Sequence, residues 1–200
     1  VVEAGARARL EQVDLLIKPA KTALNENLEV RGYAIGSGAK GYNVFDLTVT
    51  DRCATDSELK LPAYRYGGLG LRGNRGWNGP TNMAVLTSDG VTHRDASGAE
   101  RSGVRARWIH LGGLVDGQPC GMAVLDHPAN FRAPQSLRMH PEEPFVSYAP
   151  QQLGDMAIKP GDTYISRYRF VVSDGAPDAS LIERVWHDFA EPPEVKVIQK

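Results

Sequence analysis

The sequence is short of most of the features that announce a function. Cysteine occurs twice in 200 residues, at Cys53 and Cys120, in separate segments and without CxxC spacing. That excludes a disulfide framework and leaves one bridge or two free, partly buried thiols, with free thiols the expectation. An excess of one charge is also lacking. Lys+Arg 23 against Asp+Glu 24 gives a net charge of −1, which excludes a strongly basic nucleic-acid binder and a polybasic membrane-surface protein. No apolar run approaches the roughly 20 residues that cross a bilayer. The longest, such as Met122–Leu125, are strand-sized. There is no repeat, heptad, GxSxG, HxH or HExxH, and the loop Gly73–Gly79 lacks the Lys-Ser/Thr ending of a phosphate cradle. No cofactor is implied. The chain starts at Val1 with neither methionine nor signal peptide, which reads as a processed form, a fragment or an excised domain and leaves the compartment unknown.

What is abundant is glycine, at 21 residues, with 13 prolines beside it. Frequent turns and short elements follow. The 42% hydrophobic and 24% charged residues are ordinary for a globular chain, and a chain of this size buries about 70% of its unfolded surface. Several segments alternate with the period of a strand. Leu28–Ile35 does so before Gly36-Ser-Gly38. Residues 6–18 would fit a helix through Leu10, Val13, Leu16 and Ile17, but the run Leu15–Ile17 before Pro19 also fits a strand, and context favours the strand. In Tyr42–Thr50, Phe45, Leu47 and Val49 would share one face and Val44, Asp46, Thr48 and Thr50 the other. Val104–Leu111 reads as a strand with Val104, Ala106, Trp108 and His110 together, opposite Arg105, Arg107, Ile109 and Leu111. Gly112-Gly113 would break it and Asp116-Gly117 would turn it into Cys120–His127, making a hairpin. Asp95–Gly98 is a further turn signal. Residues 128–144, with four prolines, read as an ordered excursion, followed by Phe145–Tyr148 and the long strand Thr163–Ser173. One helix is expected over about 178–190, opened by Pro177–Ser180 and stopped by Pro192-Pro193, with Leu181, Val185 and Phe189 at i, i+4 and i+8. The pattern predicts a single all-β domain over 1–200, an antiparallel β-sandwich with one C-terminal helix.

Several segments together resemble a known bacterial family. They are Gly67-Gly-Leu-Gly-Leu-Arg72, Arg107-Trp108 followed by Gly112, Gly121-Met-Ala-Val-Leu-Asp-His-Pro-Ala-Asn130 with Pro134 after it, and Tyr164–Val172 leading to Asp174-Gly175 and the closing helix. They look like the family labelled "methane oxygenase PmoA-like", over about residues 30–192. The label is a misnomer, since true particulate methane monooxygenase subunits span membranes and this chain has no spanning segment. The resemblance implies a sandwich similar in shape to galactose-mutarotase-like domains and a carbohydrate-related role. Family members carry a further N-terminal His-His-Arg-Gly type motif, and nothing like it precedes Val30. That implies a site held only in part, the remainder lost or supplied by a second chain.

Candidate residues follow. With Leu69 and Leu71 turned inward, Gly68, Gly70 and Arg72 face out. The glycines leave a bare floor beside a guanidinium suited to a carboxylate, a phosphate or sugar hydroxyls, or else they fit a bulge and Arg72 makes a surface salt bridge. Trp108 beside His110 is either a sugar platform or core. His127 is held extended by Pro128 and is the candidate catalytic acid or base, with Asn130 to orient it or bind a hydroxyl; alternatively both cap the turn. Asp126 should point away from His127. His140 could line the site from the proline-rich excursion. A glycosidase needs two carboxyls roughly 5 to 10 Å apart, and Asp116, Asp126, Glu142, Glu143 and Asp155 supply the types without showing convergence. His110, His127, His140 and Asp126 make only a weak metal set, so no metal is assigned. The expectation is a carbohydrate-active hydrolase or lyase binding a carbohydrate ligand. The alternatives are a non-catalytic carbohydrate-binding or structural module and a metal-dependent oxygenase. All depend on whether Arg72 and His127 share a hollow.

Overall fold

A computed structural model describes residues 2–12, 21–34, 41–94, 101 and 103–194. The expected run Leu15–Ile17 and the turns at Gly36–Gly38 and Asp95–Gly98 lie outside them. Seven strands form the main sheet. They are β1 (Val2–Gln12), β2 (Lys21–Tyr33), β3 (Tyr42–Cys53), β6 (Met83–Thr87), β7 (Trp108–Val115), β8 (Gln118–Asp126) and β12 (Thr163–Asp174), in the order β1-β2-β3-β12-β8-β7-β6. Every neighbouring pair is antiparallel. A second sheet holds β5 (Leu69–Arg72), β10 (Phe145–Tyr148) and β9 (Leu137–Met139), and a two-stranded ribbon holds β4 (Leu59–Leu61) and β11 (Met156–Ile158). One helix, α1 (Ala179–Ala190), closes the described chain. The all-β sandwich with a C-terminal helix is therefore the observed architecture.

Alternation divides the apolar residues between two cores. Ile109, Leu111, Val124 and Phe170 of the main sheet pack with Leu137, Met139, Val146 and Tyr148 of the second sheet. From the opposite face, Val44, Trp108, Ala123, Leu125 and Val171 pack with Ile182, Val185 and Phe189 of α1. Each of the larger of these side chains contributes roughly 1.5–3 kcal/mol by leaving water. The helix starts where Asp178 accepts a hydrogen bond from Leu181 N at 2.9 Å, satisfying one of the amides a first turn leaves open.

Three local readings need correction. The strand expected over Val104–Leu111 begins only at Trp108, and a bend at Arg107 shifts its phase. Val104 and Ala106 therefore join Ile109 and Leu111 in the first core, while Trp108 enters the second. Gly112 and Gly113 do not stop β7, which runs on to Val115. They are glycines because a Cβ on Gly112 would fall 2.6 Å from the His110 ring and one on Gly113 2.4 Å from Trp77. The turn itself is Asp116-Gly117, both with positive φ, as a tight hairpin requires. Finally, the loop expected over Gly73–Pro80 contains a 3-10 turn, Arg75–Trp77, that buries Trp77 in the first core. Cys53 and Cys120 are free and half-buried.

Candidate functional site

The Asp126–Asn130 segment was the most specific sequence signal, and its polar atoms are turned inward. Asn130 Nδ2 donates to Asp126 Oδ1 and to the Arg167 carbonyl, each at 2.7 Å, and Asn130 Oδ1 accepts from Arg167 N at 2.8 Å. The amide thereby continues the edge of β12 by one side chain. Asp126 Oδ2 accepts from Gln135 N at 2.8 Å, and Gln135 Oε1 accepts from the Tyr168 hydroxyl at 2.8 Å. Burial pushes the Asp126 carboxyl up to about 6, against the opposing effect of its hydrogen bonds from Asn130 and Gln135. A hollow of about 250 Å³ lies beside this turn, walled by Pro128, Pro134, Arg107 and Trp186, with Asp126 among its lining residues.

His127 points away from Asp126, as alternation requires. Its ring stands edge-on to Phe189 of α1 at 4.8 Å, and its Nδ1 accepts from Ala129 N at 3.0 Å. Burial, with the Arg167 guanidinium beside it, lowers its basicity. His140 plays a similar part, with Nδ1 accepting from Glu143 N at 2.9 Å. Trp108 is 2% exposed in the second core, its indole N–H donating to Glu183 Oε2 at 2.6 Å. It therefore presents no ring face to solvent. His110 is equally buried and packed over Gly112 and Gly121, and burial lowers its imidazole to about 4. It lines a separate hollow of about 240 Å³ near Pro177.

Arg72 does face outward while Leu69 and Leu71 face the core, but the glycine floor beside it is covered. Phe145 lies 3.3 Å from where a Cβ of Gly70 would stand, the Arg72 guanidinium rests over that ring at 5.3 Å, and Arg72 Nη1 meets Glu143 Oε2 at 2.8 Å. The two anchors of the sequence reading are thus not brought together. Arg72 belongs to the second sheet, on the side of the first core. His127 rests on the helix, on the side of the second. No described pocket is lined by both, and no two carboxyls share one. Among the described residues no three His, Cys, Asp or Glu side chains converge as a metal site.

The structure instead assembles residues that the sequence reading passed over. The largest of the described hollows, about 410 Å³, is lined by Tyr64, Arg65, Arg101, Arg138 and Gln152, with Ala63 and Leu137. Tyr64 is 61% exposed. Tyr66 stands beneath, with the Arg65 guanidinium 5.0 Å and the Arg138 guanidinium 5.5 Å from its ring centre. Gln152 ties the walls together: its Oε1 accepts from the Ser136 hydroxyl at 2.6 Å, and its Nε2 donates to the Arg65 carbonyl at 2.9 Å. Ala63 N and Tyr64 N are pinned to Asp155 and Gln151. Four chain segments, around 64, 101, 138 and 152, meet here. No spacing rule links them, so only the fold reveals the site.

Comparison with known proteins places the chain without assigning an activity. No curated protein and no solved structure matches it. A family model does match, over residues 2–187, taking in β1 and β2 as well as the Asp126–Asn130 turn and most of α1; the chain belongs to that family, described as a family of unknown function, DUF6807.

Proposed function

We propose that this protein is a carbohydrate-binding β-sandwich whose ligand lies in the Tyr64–Gln152 cleft. The carrying observation is the chemistry of that cleft. It joins an exposed tyrosine ring, a fixed amide and guanidinium groups, and among the described residues its lining includes no carboxyl, imidazole or thiol. An aromatic ring covers the apolar face of a pyranose while amide and guanidinium donors take its hydroxyls. Those groups hold a sugar, but the general acid and nucleophile of glycoside cleavage are missing from them. The volume of about 410 Å³ falls within the ~300–1,000 Å³ of small-molecule sites, enough for a short stretch of saccharide. Support for the ligand class comes also from the likeness of the Gly67–Arg72 and Asp126–Asn130 segments to proteins with a carbohydrate-related role. Glycoside hydrolysis would require the glycan to reach a carboxyl pair, and oxygenase chemistry a donor set; neither is assembled in the described hollows.

The test is retention on an array of neutral and acidic glycans, with wild type and Tyr64→Ala side by side. Wild type should retain at least one glycan class without releasing a product detectable by mass spectrometry. Tyr64→Ala should lose that retention and keep the wild-type unfolding midpoint, because the ring is exposed. Cleavage of a retained glycan, or equal retention by Tyr64→Ala, overturns the proposal.

A further inference from the structure

His127 and His140 each use Nδ1 to accept a backbone amide. His110 does not. It is 2% exposed, and neither of its ring nitrogens has a hydrogen-bond partner among the described residues. Burying unpartnered nitrogens costs free energy that an apolar side chain of similar size would not. Its neighbours across the sheet are Leu86 and Ala123, so a leucine or methionine would suit the packing. The imidazole therefore brings something other than packing.

The local sequence makes room for it. Gly112 and Gly121 face each other across β7 and β8, and a Cβ on either would fall 2.6 Å from His110 Cε1. The ring thus leans along the sheet over two bare residues, toward the Asp116-Gly117 hairpin, and is held in that pose. The hollow of about 240 Å³ opens at that end, with Ala84, Leu114, Pro119 and Pro177 among its walls. Gly175 N donates to the Pro119 carbonyl at 2.6 Å, and the Trp77 indole N–H to the Leu114 carbonyl at 2.9 Å, so the walls are fixed before a ligand arrives. Leu114 is 60% exposed, an apolar rim open to water. The volume lies under the ~300–1,000 Å³ of ordinary small-molecule sites, which suits one ring rather than a chain.

Burial lowers the His110 imidazole to about 4, so near neutral pH it offers one N–H donor and one bare nitrogen acceptor. A hydroxyl serves either nitrogen, since it both donates and accepts. A phenolic hydroxyl, with a pKa of about 10, is a stronger donor than an aliphatic one. Among the described residues no charged side chain lines the hollow. From this juxtaposition of an unpartnered imidazole with apolar walls we infer that the hollow binds a small neutral ring carrying a hydroxyl, of the phenol class. The hydroxyl meets His110, and the ring lies against Leu114, Pro119 and Pro177. A sugar fits less well, because hydroxyls surround its ring and most would meet these walls unpaired. The inference uses no residue of the Tyr64–Gln152 cleft, so it stands or falls apart from the carbohydrate reading.

NMR titration of the full chain tests it, following the His110 Cε1–H resonance with phenol, toluene and benzoate as probes. Phenol should bind saturably and shift that resonance. Toluene, with a methyl in place of the hydroxyl, should bind about tenfold more weakly. Benzoate should also bind more weakly than phenol, because its charge finds no partner there. Ala84 lies opposite Gly112, on the face that carries the His110 ring, and is exposed. Ala84→Leu should therefore fill the hollow and abolish phenol binding at an unchanged unfolding midpoint. His110→Leu should remove the preference for phenol over toluene without lowering the midpoint. Equal binding of phenol and toluene by wild type makes the hollow a merely apolar cavity and overturns the inference. Benzoate bound most tightly overturns the neutral ligand. Phenol bound without movement of the His110 resonance, or undiminished in Ala84→Leu, puts the ligand elsewhere and overturns the site. Binding of no probe overturns it as well and leaves the two nitrogens to buried water.

Discussion

The Asp126–Asn130 turn and the Arg65–Arg101–Arg138 cleft spend their polar groups in opposite ways. In the turn, both Asp126 oxygens, the Asn130 amide and Gln135 find partners within the protein. In the cleft, the Tyr64 ring is open to solvent, and among the described residues no carboxylate forms an ion pair with Arg65 or Arg101. A buried polar group must be matched internally because desolvation penalises it otherwise. A half-open cleft can leave charge unmatched, because water serves until a ligand replaces it. The conspicuous motif thus serves the fold, and the scattered residues are the ones proposed for recognition.

The sharpest way to break that comparison is Asn130→Ala. The substitution strips a partner from Asp126 Oδ1 and from both backbone groups of Arg167. Leaving several buried groups unsatisfied costs about 3–5 kcal/mol, read as the loss of stability in urea unfolding. Glycan retention per folded molecule should not change. A stable variant with weakened retention would move the function back to the turn.

The pH dependence of stability sharpens the same contrast. The Asp126 carboxyl is raised from 3.8 to about 6, chiefly by burial. The folded state therefore holds the proton more tightly than the unfolded chain does. Stability from this group is present at low pH and is lost as pH rises from about 4 through 6, on the order of 2–3 kcal/mol in total. Asp51, raised to about 6 by burial and by Glu26, slopes the same way. His110, lowered to about 4, slopes oppositely, losing stability as pH falls from 6.5. The informative quantity is thus a difference. Urea midpoints of wild type and Asp126→Asn should diverge in slope between pH 4 and 6, with the variant flatter whatever its offset. Parallel curves would mean that Asp126 is not buried as an acid.

Most of the fold was legible in the sequence because period-two alternation and turn chemistry are local. Tyr42–Thr50 splits between the two cores as its pattern predicts: Phe45 and Leu47 go to one, Val44 to the other. Asp116-Gly117 turns the chain where it should. The misreadings arose where a distant partner overrides a local signal. Gly112-Gly113 resembles a strand stop, yet the His110 ring and the incoming Trp77 are what demand bare backbone there. Trp77 sits in a segment whose composition reads as loop, and its indole N–H reaches Leu114 O across 37 residues at 2.9 Å. The site was less legible. His127 and Arg72 were singled out for chemistry, and local geometry explains their positions: one accepts an amide in its own turn, the other meets Glu143 at the surface. Arg65, Arg101 and Arg138 carry no motif, and their convergence is a property of tertiary structure alone.

Arg72→Ala should have the smallest effect. Its partner Glu143 lies in solvent, and the hydrogen bond and charge of Arg72 hold that carboxyl below its ordinary range. An exposed pair of this kind is screened by salt and offset by the freedom its side chains lose. The urea midpoint should therefore match wild type within error. Glycan retention should match as well, because Arg72 rests over Phe145 and is not among the described residues lining the cleft. A loss of retention on the scale expected for Tyr64→Ala would put the ligand on the outer face of the second sheet, beside the Gly67–Arg72 run.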